Sequence, residues 1–506
     1  YERWKDVVNV MILKEPNNHK IHRLRVIHLY EADYNLILGV KWRDALHHAE
    51  DNKLLNTSNY GSRPGRDAHD PVLIEELEME ICRASRKGLV KLDIDAASCY
   101  DRILPILASI ISRSFGVHKN VAMVNAKKLK EARYKLKTML GVSEEWYSHT
   151  DDDPIYGTGQ GSGNSPTIWC FVNSVLFDTF ESKAKGALFE SLDRKVSLRL
   201  YMIGFVDDSS GQVNAFGEHP QPSSEELIKR MQHDGQLWND ILWSSGGDLN
   251  LDKCSYHHIH YSFSDDGEPF LSGETGVPLA LSNADRTQHS IIKHKSSYDH
   301  HKTLGVHKSP SGEHTKQLKV LKKKSDEHGQ TVETSPFTRH EAWTFYFAIW
   351  LTSVGYPLPS CSFTFAQLDK AQRKAINAII ARCGYNRHTH RAIIFGPSCL
   401  GGVTFRHLWV EQGVLQVTCF IKHWRLPESQ LGKLLRIAVS WFQADLGTCV
   451  SFLVDMDTPM PHCLLYASDA VDYLPCVSIA CVRVIAPSIQ KIIPTLSSLV
   501  ITPSSL

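Results

Sequence analysis

The stretch YMIGFVDDSS, Tyr201 to Ser210, constrains the fold more than any other part of the chain. Tyr201 to Val206 read as a buried strand. Asp207 and Asp208 follow at once, then small polar residues. Two adjacent carboxylates repel each other and are costly to remove from water. Such a pair is either a solvated acidic turn or a holder of cations. Divalent cations set close together need several oxygen ligands, so a cation site requires a further carboxylate. LDIDAASCYDRI supplies candidates. Asp95 ends a second apolar strand, and the carbonyl of Ala96 is a further candidate oxygen ligand. Asp93 lies two residues earlier on the same strand face, so spacing alone does not choose between them. The run Asp151-Asp152-Asp153-Pro154 reads as a solvated turn.

The bulk numbers set limits. With 506 residues, the chain is long enough for two or three domains. It is 42% hydrophobic and 22% charged, a globular composition. The formal charge is only +1, so any nucleic-acid binding must rest on local basic patches. No run of about 18 apolar residues is present, and no membrane span is expected. Twelve cysteines are scattered without C-x-x-C or zinc spacing. They are expected to be reduced thiols of a nuclear or cytoplasmic protein. The chain begins at Tyr1, and a fragment is expected.

The periodicity predicts helices over Pro71 to Arg86, His118 to Leu140, Thr167 to Phe180 and Glu225 to Ser244. The second is basic: eight Lys/Arg against one Glu lie between Ile111 and Leu140. GTGQGSGNSP reads as a loop. Residues 265 to 335 read as irregular, rich in His, Ser and Lys. The chain is mostly helical from Phe337, with a tail after Ile493 expected to be poorly ordered.

Several motifs stand in a fixed order. DAASCYD fits D-x4-[FY]-D, GQGSGNSP fits Q-G-x3-S-P, and FVDD fits [FY]-x-D-D. GGDLNLDKC is similar to G-L-x-[LI]-N-x-x-K, with Gly247 at the Leu position, and KTLGV carries an L-G turn. Upstream, RLRVIHLYEADYN and NYGSRPGR are similar to R-P-I-x-L and G-F-R-P-G-R, with Val26 at the Pro position and Ser62 at the Phe position. Together, from about Met11 to Val306, the sequence resembles reverse transcriptases. It is most similar to those of non-LTR retrotransposons and more distantly to group II intron maturases. The resemblance implies an α+β fold, a right-hand polymerase palm and fingers followed by a helical thumb and C-terminal region. It implies fingers over 1–90, expected to lack their N-terminal part, and a palm with a fingers insertion over 91–265. A basic segment with the primer-grip turn would span 266–335, a helical thumb and C-terminal domain 336–493, and a flexible tail 494–506.

The resemblance selects Asp95 over Asp93. It implies that Asp95, Asp207 and Asp208 hold two Mg2+ ions, with Mn2+ an alternative. Lys14 and Arg25 match triphosphate-contacting positions, and Arg can fork onto phosphate oxygens. Gln160 and Gly161 would let the backbone approach nucleotide and template, since Gly lacks Cβ. Ser165-Pro166 starts a helix, with Pro where its missing N–H is harmless. Tyr100 would fill the space a ribose 2′-OH needs, which argues for deoxynucleotides. Lys253 is a candidate general acid toward pyrophosphate. Leu304 and Gly305 form the primer-grip turn. Nine Lys/Arg against two acids lie between residues 291 and 325, including Lys322, Lys323 and Lys324. That run is either a solvated face or a track for a nucleic-acid backbone.

The implied activity is RNA-directed DNA synthesis. Its partners are an RNA template, a DNA or RNA primer and dNTPs, with no membrane. Two rivals are carried: an RNA-directed RNA polymerase, and a decayed retroelement copy that only binds RNA. No RNase H carboxylate set and no endonuclease is visible.

Overall fold

The computed structural model describes residues 2–445 and 447, apart from 15, 21–23, 97–98, 151–156, 219, 267–268, 273–276 and 284. The acidic run at 151–153 and the tail at 494–506 therefore lie outside the described residues. The fold is mixed α/β, with several sheets and helices on both sides of the main one.

The main sheet is built around Leu89–Asp95. Its sequence, LVKLDID, alternates. Val90, Leu92 and Ile94 enter the largest apolar core, which also holds Phe171, Phe177 and Trp238. Lys91, Asp93 and Asp95 point to the other face. The sheet order is Lys293–Lys295, Ser255–Ile259, Leu89–Asp95, Asp208–Asn214, Met202–Phe205. Helices Ser165–Glu181 and Ser224–Ser244 contribute their buried faces to the large core. Helix His69–Ser85 packs against Gln430–Asp445 around a separate core with Ile74, Leu77, Ile81 and Leu434. The predicted helices at 71–86, 167–180 and 225–244 are all present, with ends shifted by a residue or two.

Two elements differ from the sequence reading. The expected helix from His118 to Leu140 stops early: Lys119–Glu131 is helical, Ala132 is extended, and Arg133–Thr138 is a strand. That strand runs parallel to Asp6–Leu13, which pairs on its other side with Leu24–Leu29. RYKLKT alternates polar and apolar residues in sequence, with Tyr134 buried, and pairing overrides a helical run of lysines. The second difference lies in the stretch expected to be irregular from 265 to 335. Short hairpins occupy it as far as Lys308, and then Thr315–Thr334 forms a helix. The buried face of that helix is Gln317, Leu321, Ser325, Gly329 and Val332. Only Leu321 and Val332 are large and apolar, so the stripe is faint in sequence. Gly329 is needed because a Cβ there would stand 3.0 Å from Ala375 Cα, on helix Phe365–Arg382.

Among the described residues, no helix is long and apolar enough to cross a membrane. Cys82, Cys170, Cys254, Cys361, Cys383, Cys399 and Cys419 carry free thiols.

Candidate active site

Asp208 lies directly across the antiparallel ladder from Asp95. The two motifs, over a hundred residues apart in sequence, therefore meet at one sheet edge. Val206 and Asp207 form the turn between Met202–Phe205 and Asp208–Asn214. Val206 sits at φ 61°, where a β-branched side chain is strained. The turn is held from outside. Trp169 Nε1 donates to Val206 O at 2.5 Å. NYGSRPGR docks on the edge strand: Tyr60 N–H donates to Gly204 O at 2.8 Å, and Gly204 N–H donates to Ser58 O at 3.0 Å. A side chain on Gly61 would collide with Val206 N. In the same segment, Arg63 is buried and donates to Glu50 at 2.6 Å and to Asn59 O at 2.8 Å, so it serves the scaffold.

A cavity of about 210 Å³ opens at this edge. Asp95, Asp208, Lys253, Lys302 and Leu304 are among the residues lining it. Withdrawal from water at the cleft edge, then repulsion from Asp207, Asp95 and Glu75, pushes the Asp208 carboxyl up to about 6; Lys302 opposes. Lys253 Nζ stands 3.1 Å from Asp95 Oδ2. GGDLNLDK itself docks on the strand end, with Asn250 N–H donating to Asp95 O at 2.9 Å. Asp93 differs from Asp95 in its surroundings. It is buried, its carboxyl is raised to about 7, first by burial and then by Glu75, and its Oδ2 lies 3.0 Å from His301 Nδ1. Among the described residues, no three His, Cys, Asp or Glu side chains form a group that could hold a metal ion. The oxygen donors at the edge are nevertheless of the type hard cations take, and their mutual repulsion would be relieved by positive charge.

The remaining predicted residues are spread over several elements. Tyr100 is half-buried, its ring 6.1 Å from that of Trp169, so one tryptophan contacts both the candidate sugar residue and the Val206 turn. Gln160 Nε2 donates to Asp101 Oδ2 at 3.0 Å, and its carbonyl accepts from His28 N–H at 2.7 Å. Gly161, at φ 115°, lies against His28 O, so the close approach it permits here joins the loop to the Leu24–Leu29 strand. Arg25 and Lys14 are both exposed near one end of the first hairpin: Arg25 pairs with Ile12, and Lys14 follows Leu13.

Leu304 and Gly305, at φ 46° and 92°, make the tight turn that two positive φ values define. Tyr356 Oη donates to Leu304 O at 2.7 Å. Lys322, Lys323 and Lys324 are exposed on Thr315–Thr334; Lys324 Nζ donates to Ser353 O at 3.3 Å, and Lys323 lies 3.9 Å from Glu327. They are not among the residues lining the cavity. Sequence reasoning missed Trp169, Glu75 and His301. Trp169 alone gave a signal, as an aromatic one turn into the helix after the Q-G loop.

No family model matches the chain, and no curated protein matches it. Among solved structures it is similar to a Candida albicans telomerase in complex with a TWJ fragment of telomeric RNA. That match has a TM-score of 0.39 and 13% identity, and covers 89% of this chain. A Candida tropicalis telomerase in complex with such a fragment gives 0.36 and 11% over 86% of this chain. Apo telomerase from Candida tropicalis gives 0.34 and 11% over 88%. The chain spans 64%, 64% and 62% of the lengths of these three structures, respectively.

Proposed function

We propose that the chain is an RNA-directed DNA polymerase that extends a primer 3′-OH with dNTPs. The observation carrying the reading is the pairing of Asp208 with Asp95 at a cleft edge beside the Leu304–Gly305 turn. In this reading Asp95, Asp207 and Asp208 hold Mg2+, which supplies charge neutralisation for the reacting phosphate when bound. Lys14 and Arg25 take the triphosphate. Lys253 donates the proton to the leaving pyrophosphate. The turn at Leu304 supports the primer end, and RNA serves as template. The motif order supports a reverse transcriptase related to non-LTR retrotransposons.

The test is primer extension on poly(rA)/oligo(dT) by the purified chain. Extension is expected in Mg2+ and is lost in Asp207→Asn with template binding retained, since that change removes a ligand and not a backbone contact. Unchanged extension by Asp207→Asn rules the mechanism out. Tyr100 separates the reading from RNA-directed RNA synthesis. Its ring excludes the 2′-OH by volume, so Tyr100→Ala raises the kcat/KM for rGTP relative to dGTP, and Tyr100→Phe changes little. A wild-type chain that used both nucleotides equally would favour the RNA-polymerase alternative.

A further inference from the structure

The turn that faces the cleft belongs to an isolated hairpin. His301–Thr303 pairs with Val306–Lys308 over three residue pairs, and among the described residues neither strand joins another sheet. A two-stranded ribbon of that length does not hold its own position in water. Its place must come from contacts outside the ribbon: Val306 is buried in an apolar core, Tyr356 bonds the turn at Leu304 O, and one buried carboxylate beneath bonds both legs. Glu75, from helix His69–Ser85, is 4% exposed. Its Oε2 accepts from Thr303 Oγ1 at 2.8 Å and from Lys308 Nζ at 2.7 Å, so both legs of the hairpin are held. Its Oε1 accepts from Ser210 Oγ at 2.8 Å and stands 3.4 Å from Lys91 Nζ. Ser210 lies two residues after Asp208 on the same strand, and Lys91 lies four before Asp95 on its neighbour. Lys308 is 2% exposed and also donates to Val72 O at 3.1 Å.

We propose that Glu75 is a positioning residue that sets the Leu304–Gly305 turn against the Asp95–Asp208 edge. It does so by bonding both legs of the hairpin and the strand that carries Asp208. The role rests on the polymerase reading of the cleft. Stability alone gives little reason for the arrangement, because an apolar replacement of a buried ion cluster is often neutral or better. Position is what the four contacts share. An apolar contact can slide, whereas a carboxylate with two hydrogen bonds on one oxygen and a third on the other fixes direction and distance.

The experiment uses Thr303→Val, which removes one hydroxyl and leaves every buried charge paired, beside Glu75→Gln. Two quantities are measured on the full chain. The first is amide hydrogen exchange over 301–308 without nucleic acid. The second is primer extension, with kcat and the KM values for primer and dNTP determined separately. In Thr303→Val, exchange over 301–308 rises by roughly tenfold, the share of one hydrogen bond to a charged group, while 89–95 and 208–214 hold their protection. The same variant lowers kcat or raises the primer KM and leaves the dNTP KM unchanged. Unaltered exchange in the hairpin overturns the proposal, as does exchange raised equally across the palm strands. Loosened exchange with unchanged primer kinetics also overturns it. A wild-type chain that extends no primer overturns the polymerase reading separately, and the hairpin exchange still decides the tether.

Discussion

Asp208 and Glu75 are carboxylates a few residues of structure apart, and the protein treats them in opposite ways. Asp208 stands at the cleft edge and faces other carboxylates, chiefly Asp207 and Asp95. Glu75 is buried, yet Lys308 and Lys91 outweigh the cost of burial and hold its carboxyl well below the usual range. A charge that is buried and paired belongs to the scaffold. A charge held against like charges at an opening is a candidate for binding a cation, as the proposed function has it. Within one strand the surroundings also change over two residues: Asp93 is buried beside His301, and Asp95 meets Lys253.

The largest test of this contrast sets two substitutions side by side. Lys308→Met leaves Glu75 buried with one cation lost. It should cost about 3–5 kcal/mol of stability, read from urea unfolding. Asp207→Asn removes a charge from an exposed, repulsive pair and should cost no stability while ending primer extension. The comparison breaks if Lys308→Met unfolds like wild type, or if Asp207→Asn destabilises the chain.

A smaller effect follows from pH, with opposite signs at the two sites. Asp208 titrates at about 6 in the folded chain, above its unfolded value of about 3.9. Between those values the native state holds more protons than the unfolded state, so this group's contribution to stability declines as pH rises through the window. Glu75 is depressed. Its contribution is full above its unfolded value of about 4.3 and is lost as pH falls below it. In chelator, Asp208→Asn should therefore flatten the decline between about pH 4 and 6 and raise the melting midpoint at pH 7. A steeper decline in that variant would reverse the assignment of the two carboxylates.

Much of the cleft was legible in the sequence because its residues sit in short, ordered motifs at strand ends and turns. LDIDAASCYD and FVDD each announce a strand running into carboxylates, and the ladder pairs Asp95 with Asp208. What supports them was not legible. Glu75 lies in EELEME, where glutamates on a predicted helix read as solvent-facing, and nothing local shows that Glu75, Glu76, Glu78 and Glu80 are all buried. Their partners come from distant segments, such as Lys308 at 233 residues' separation. The helix Thr315–Thr334 was missed for a related reason, since Ser325 and Gly329 make its contact face by being small rather than apolar.

The smallest effect concerns cations and extends the same contrast to them. Lys91 and Lys308 are buried and spent on carboxylates. Lys322, Lys323 and Lys324 are exposed on one helix and lightly held: Lys324 donates to a carbonyl at 3.3 Å, and Lys323 lies 3.9 Å from Glu327. An ion pair that long and that exposed contributes little, so these side chains remain available to phosphates. Each phosphate neutralised releases counterions and adds a slope of about 0.7–0.9 to log K against log salt. If all three lysines track the backbone, their joint replacement by glutamine lowers the slope by about 2–3. Extension at low salt should change little, because none of the three lines the cavity. The measurement is a salt titration of primer-template binding, wild type against the triple variant. An unaltered slope returns the run to an ordinary solvated helix face and confines nucleic-acid contact to other parts of the surface.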